Sequence, residues 1–472
     1  MLPRMKAPLN VRLIALAFAA TLIAVSAPEP AYANGWDSSL NTWVARGATD
    51  TDTGAAFGTS CADPDYIADG SADDVQLQDA IEHTLTGGTV HICPGTYTFA
   101  SILAPSQAAL TLVGESGGTV TLNGNGVPIL RASDTDLTLE SLTLMNAVSD
   151  QVGGAVRAKS VAATSVSFIN NVSGDGGGAG GGIYSFGDVT LDRTVFRGNS
   201  ADSGLGSKGG AVHALGDLEI TDSTFINNSS YQGGAVYVVG DTVVSASSFS
   251  GNTADHGGAI YMVYDSGFPW VESSFTITDT GFSGNRAEYY GGALFVDVYL
   301  LNISGSTFRG NSAGEYDGGA IYADDGEVVV NQSTFVTNVA GGGGGAIYSD
   351  DDDGIQVAGS TFTSNRAVSG WGGALFSYNT VDSVGSKYLR NRADYGGAMY
   401  IGLPLAGTSD LAKNRFSQNR ARTAGGALAF NTHCYTLPRW MVRSVLRRNR
   451  FDANAGRRTP EIYQAVMLDI AC

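Results

Sequence analysis

Carboxylates recur along this chain at a spacing that could hold a metal ion. Asp188, Asp217, Asp241, Asp265, Asp297, Asp324, Asp325 and the run Asp350 to Asp353 each fall six to nine residues after a pair of glycines. A polysaccharide lyase needs acidic calcium ligands on neighbouring segments and a Lys or Arg to take the sugar proton. Asp324, Asp325, Asp350 and Asp351 are the densest such group, a candidate Ca2+ site. The alternative is a row of solvated turn residues, since Asp favours turns. No base stands out, because Arg197, Arg309, Arg366 and Arg392 fall in a different part of the pattern. A second group is aromatic: Phe268, Trp270, Tyr289, Tyr290 and Trp371 interrupt the pattern. They suit stacking on sugar rings or docking a protein, and equally local packing. Arg439, Arg443, Arg447, Arg448, Arg450, Arg457 and Arg458 form a basic cluster, either a solvated end cap or an anchor to an anionic polymer. Other templates fail. The five His show no metal spacing. Gly310-Asn-Ser-Ala-Gly314 spells a nucleophile elbow without the strand–turn–helix it requires.

What must position these groups is a repeat. Gly-Gly followed by Ala or Ile recurs with its first Gly at 153, 181, 209, 233, 257, 291, 318, 344, 372, 396 and 425. Between successive doublets an aromatic precedes Asn by three places, from Phe168/Asn171 to Phe451/Asn454, with Tyr388 replacing Phe once. A typical unit, Gly318-Gly319-Ala320-Ile321-Tyr322 through Val328-Val329-Val330 to Ser333-Thr334-Phe335, holds three short β-type runs parted by turn residues. About 26 residues are too few for a four-stranded propeller blade, which takes roughly 40. They suit one coil of a parallel β-helix, in which each strand pairs with its equivalent about 4.8 Å away. The glycines then allow tight turns, Phe fills the core, and Asn takes the turn, where it tolerates the left-handed conformation and bonds to its neighbour in a ladder. Asp73 to Leu85 reads as a short capping helix with Val75, Leu77, Ile81 and Leu85 on one face and Gly87-Gly88 after it.

The chain has 472 residues, 64 of them Gly, and 43% are hydrophobic, enough to bury a core. Its net charge of −18 speaks against nucleic acid and anionic lipid as partners. Arg4, Lys6 and Arg12, the apolar run Leu13 to Ala27 and the small-x-small site Ala31-Tyr32-Ala33 read as a secretory signal peptide over 1–33. No later stretch is long and apolar enough for a transmembrane helix. Export permits disulfides. Of the three possible pairings, Cys61–Cys93 with Cys434–Cys472 is favoured, because each would then staple one terminus.

The Asp-Ala-Ile helix, Gly87-Gly88-Thr-Val-His-Ile-Cys-Pro94-Gly95-Thr-Tyr97 and Leu-Val-Gly114-Glu-Ser-Gly117 resemble the entry into pectin-lyase-like right-handed β-helices. The Phe-x-x-Asn and Gly-Gly-Ala-Ile units resemble repeats of chlamydial-type polymorphic outer membrane proteins. The resemblance implies a secreted or surface protein associated with adhesion, often an autotransporter. The residues after 455 are too few for a membrane barrel of about eight strands or more, so simple secretion is expected. The chain is thus read as an all-β protein: a single right-handed parallel β-helix of three strands per coil and roughly fifteen coils with a short N-terminal capping helix. The divisions are a signal peptide (1–33), an N-terminal segment (34–68), the β-helix (69–455) and a C-terminal cap (456–472). The expected function is non-enzymatic adhesion or glycan binding, at the cell surface or outer membrane or after secretion, with a polysaccharide or a host or cell-surface protein as partner. The alternative is a calcium-dependent polysaccharide lyase or a glycoside hydrolase.

Overall fold

The computed structural model describes residues 39–46, 60–62, 64–68, 73–174, 177–201, 204–263, 273–350, 354–402, 409–431, 439–456 and 462–465. The chain divides into Met1–Asp37 and Ser38–Cys472. The first unit, with the expected signal peptide, lies outside the described residues.

Ser38–Cys472 is a parallel β-solenoid. Among the described residues one face is a 26-stranded sheet, the second has 14 strands, and the third holds sheets of 3 and 7. The 14-stranded face contributes one strand per coil, slightly fewer coils than expected, and gives the stack a length of about 60 Å. Three faces were expected, yet most coils carry four strand segments. Leu294–Asp297, Leu300–Ser304, Thr307–Arg309 and Ser312–Ala313 make up one coil, and the first two share the large sheet. In early coils these two are one continuous strand, as in Val156–Thr164. The break is where the recurrent Asp and Gly residues sit.

Register explains the sequence marks. Equivalent residues pair coil to coil, so Phe308 faces Phe282 and Phe335. Eleven rings from Phe168 to Phe451 form one internal file, with centroids 4.6 to 5.0 Å apart. Beside it runs a file of Asn side chains, buried throughout. Each Asn donates its backbone N–H and its Nδ2 to Oδ1 of the Asn one coil on, for example Asn311 to Asn338 at 3.0 Å in both bonds. Nδ2 also donates to a Phe carbonyl on the preceding coil, as from Asn338 to Phe308. The Asn does not take the left-handed turn expected of it. That conformation belongs to the residue before it, as at Asn170, Asn227, Thr337 and Ser364. A ladder side chain must point inward, and the adjacent solvent-facing position is the one able to turn. A second polar file was not foreseen: Ser223, Ser247, Thr280, Ser306, Ser333 and Ser360 accept through Oγ the backbone N–H of the preceding coil.

Two details differ from the sequence reading. In the Gly180-Gly181-Gly182 triplet the left-handed turn falls at Gly180, so this copy begins one residue earlier and Gly182 takes the place of Ala. Helix α1 spans Asp73–His83 and buries Leu77, Ala80 and Ile81, but Val75 and Leu85 face outward. It stops at His83 because Thr84–Ile92 is already a strand bonded to Ser39–Arg46 and Ala109–Gly114, so Gly87-Gly88 lies in that strand and is no helix cap. Cys61–Cys93 is a disulfide. Cys434 and Cys472 lie outside the described residues. The second helix, α2 (Arg439–Arg448), packs against Leu411–Ala412.

Candidate functional site

The residue four places after the first glycine points away from the core, because its neighbour, Ile321 or an equivalent, points inward. In nine successive coils it is a ring: Tyr184, His213, Tyr237, Tyr261, Phe295, Tyr322, Tyr348, Phe376 and Tyr400. They pair in register, which stacks the outward rings as the internal Phe are stacked. From Tyr237 to Tyr400 their centroids are 4.4 to 5.4 Å apart. The sequence reading missed this file, although Tyr, Phe or His at that offset in copy after copy was its visible signal.

These rings lie outside the core yet are covered by others. Phe376 is 1% exposed and Phe295 8%. Tyr290 sits 4.7 Å from Tyr322, and His256 stacks on Tyr290 at 5.7 Å. Tyr289 lies 5.4 Å from His256. Trp371, partly exposed, covers Phe376 at 6.1 Å and Tyr400 at 5.9 Å. The structure therefore gathers Tyr289, Tyr290 and Trp371 into one aromatic band. Phe268 and Trp270 lie outside the described residues.

Carboxylates border the band on both sides. Tyr322 donates its hydroxyl to Asp350 at 2.9 Å, with Asp324 at 3.2 Å. Burial and these two carboxylates push the phenol well above its usual range, so it remains a donor. Asp297 is raised by burial, then by Asp325 and Asp324. On the other border Asp317 is raised by burial against a bond from the Gly343 N–H, and Asp255 by burial beside Glu288. Such carboxylates accept hydroxyl donors readily, and flat rings flanked by acceptors are the chemistry that holds a sugar. Further along, Asp188, Asp217 and Asp241 have a structural task. Each accepts the backbone N–H of the next coil at the bend in the large sheet, at 2.7 to 2.9 Å. Among the described residues no three His, Cys, Asp or Glu side chains stand at metal-binding geometry, while Asp351, the fourth suggested Ca2+ ligand, and Asp265 lie outside them.

His213 is the one imidazole in the file, edge-on to Tyr184 and Tyr237. Neither ring nitrogen has a hydrogen-bond partner among the described residues. Burial, and secondarily Lys208, lowers its pKa to about 3. The unfolded chain protonates this group near pH 6.5. Stability from the neutral ring is therefore complete above that value and falls as pH drops from 6.5 toward 3. His213→Phe should remove a penalty of about 2 kcal/mol at pH 5. Urea unfolding of both proteins at pH 7 and pH 5 checks this, and an equal loss in both would refute it.

A surface concavity of about 600 Å3 adjoins the band, lined by Thr253, Ala254, Arg286, Glu288, Gly314 and Glu315.

Comparison with known proteins finds the Chlamydia polymorphic membrane protein repeat at residues 222–239, 246–262, 305–324, 332–350 and 359–378. A solved structure similar to this chain is PfbA, a surface adhesin of Streptococcus pneumoniae, at 14% identity and a TM-score of 0.38, covering 84% of this chain and 91% of that one. No curated protein matches the chain.

Proposed function

We propose that this chain is a non-enzymatic solenoid, displayed at or released from the cell surface, that binds an extended glycan along its outer aromatic band. The observation carrying the proposal is the file of outward rings bordered by carboxylates on successive coils. A repeating ligand suits a repeating surface, since each coil repeats the file about 4.8 Å further on and so sets the spacing of the rings that lie over it. The kinship of the repeat with a membrane protein family supports the surface location. Tyr289, Tyr290 and Trp371 are within reach of ligand: the two tyrosines are half-buried and Trp371 is partly exposed.

The test is a glycan array followed by calorimetry with the best oligosaccharide. Tyr290→Ala with Trp371→Ala should weaken binding by about tenfold or more. Unchanged affinity, or capture of a protein with no glycan bound, would refute this reading. A second reading, calcium-dependent polysaccharide cleavage, has one observation in its favour. Arg286, Glu288 and Glu315 line one concavity on adjacent coils, and Asp255 lies next to Glu288. Incubation with uronic-acid polymers, with and without calcium, decides it by the absorbance of the unsaturated product.

A further inference from the structure

The negative net charge conceals a sharp segregation. Residues 34–385 carry 10 basic and 39 acidic side chains, whereas residues 386–472 carry 14 basic and 5 acidic. Twelve of those 14 are Arg. The whole-chain charge argues against an anionic lipid partner, but its distribution reverses that argument for one end.

The fold concentrates these cations. Arg366, Arg392 and Arg420 hold the same register on successive coils of the third face, all exposed. Lys387, Arg415 and Arg450 do so on the 14-stranded face, where Asp452 pairs with Arg415 at 3.3 Å and with Arg450 at 2.9 Å. In the Arg366, Arg392 and Arg420 file like charges stacked one coil apart repel unless further anions lie against them. Helix α2 packs where the Leu411–Ala412 ladder ends and buries Val445 against the core. Its outer surface carries Arg443, Ser444, Arg447 and Arg448 around a concavity of about 410 Å3. Arg448 pairs with Asp410, whereas Arg443 and Arg447 have no carboxylate partner among the described residues. Leu446, next to Arg447 in the helix, is 43% exposed.

We propose that this end docks on the plane of a bilayer carrying anionic phospholipid headgroups. A basic amphipathic helix with an exposed apolar side chain suits a membrane surface. Guanidinium forks match phosphate in a bidentate way that ammonium groups cannot. The last members of both files, Arg420 and Arg450, lie with α2 on the final coils, a breadth that a plane set across that end meets together and a single polymer strand does not. The same plane repels the acidic remainder, so the solenoid approaches end-on and stands upright. Nothing in this proposal rests on the aromatic band.

Full-length protein is cosedimented with phosphatidylcholine vesicles, with and without phosphatidylglycerol. The expected result is binding only to the anionic vesicles, falling steeply with salt. Arg443→Ser with Arg447→Ser should weaken it on the order of tenfold or more, and Arg309→Ser should not. Both arginines lie at the surface, and circular dichroism verifies that the double variant folds. Neutron reflectivity of the adsorbed layer should give a thickness near the length of the solenoid, not its width. Equal binding to phosphatidylcholine, indifference to the double substitution, or a thin layer would overturn the proposal. Capture by soluble polyphosphate without vesicle binding, or arginine-dependent self-association in sedimentation velocity without it, would overturn it too.

Discussion

Gly319→Ala is expected to destabilise the solenoid by about 5 kcal/mol or more, among the largest effects a single methyl group can have. A Cβ at this position would stand 2.2 Å from the Gly345 carbonyl oxygen on the next coil and 2.6 Å from the Val339 carbonyl carbon. Both obstacles are backbone, so no rotamer relieves them. Separating the coils would break the bonds from the Gly319 N–H to Gly344 and from the Ala320 N–H to Ala346. The comparison is Gly284→Ala. That glycine has φ +62 and open space around it, and other copies of the repeat place Thr337 or Ser364 there. Its cost should be about 1 kcal/mol. Denaturant unfolding of the two variants decides the matter, and similar midpoints would contradict the account of the doublet.

Asn338→Ala should cost about 3 to 5 kcal/mol, although it removes only a small polar group. The Asn338 side chain accepts the Asn311 backbone N–H and Nδ2, and donates to the Phe308 carbonyl and Asn365 Oδ1. All of these groups lie in the interior, so the substitution leaves donors and an acceptor there without partners. Amide exchange at Asn311 should accelerate along with the loss of stability. A cost below about 1 kcal/mol would mean that water replaces the ladder bonds.

The contrast between these two positions shows what the sequence makes legible. A solenoid repeats its environment, so any residue type demanded by the coil above is demanded again in the coil below. The Gly doublet, the Phe and the Asn therefore stand out in the chain, and parallel pairing with the internal files follows from them. What did not follow was the division of labour within a turn. Asn171 and its equivalents were read as turn residues, yet the turning residue is the one before, whose identity varies because only its backbone matters there. The outer rings do not stand out in the sequence, since a single Tyr322 carries no sign of the face it will occupy. Only register reveals that Tyr322 and Tyr348 touch. Tyr290 and Trp371 were identified because they break the pattern, while the file they cover was hidden by belonging to it. The carboxylates divide similarly: Asp217 and Asp241 serve the backbone, and Asp297, Asp324 and Asp350 border the band.

The Asn file has a mechanical consequence. Its bonds run along the axis of the solenoid, each joining one coil to the next. A pull between the two ends of Ser38–Cys472 would load these junctions in series, so the weakest yields first while the rest keep their shape. Extension under force should then proceed as a train of small steps, each releasing the contour of one turn, which makes the molecule a tether that lengthens by increments before it fails.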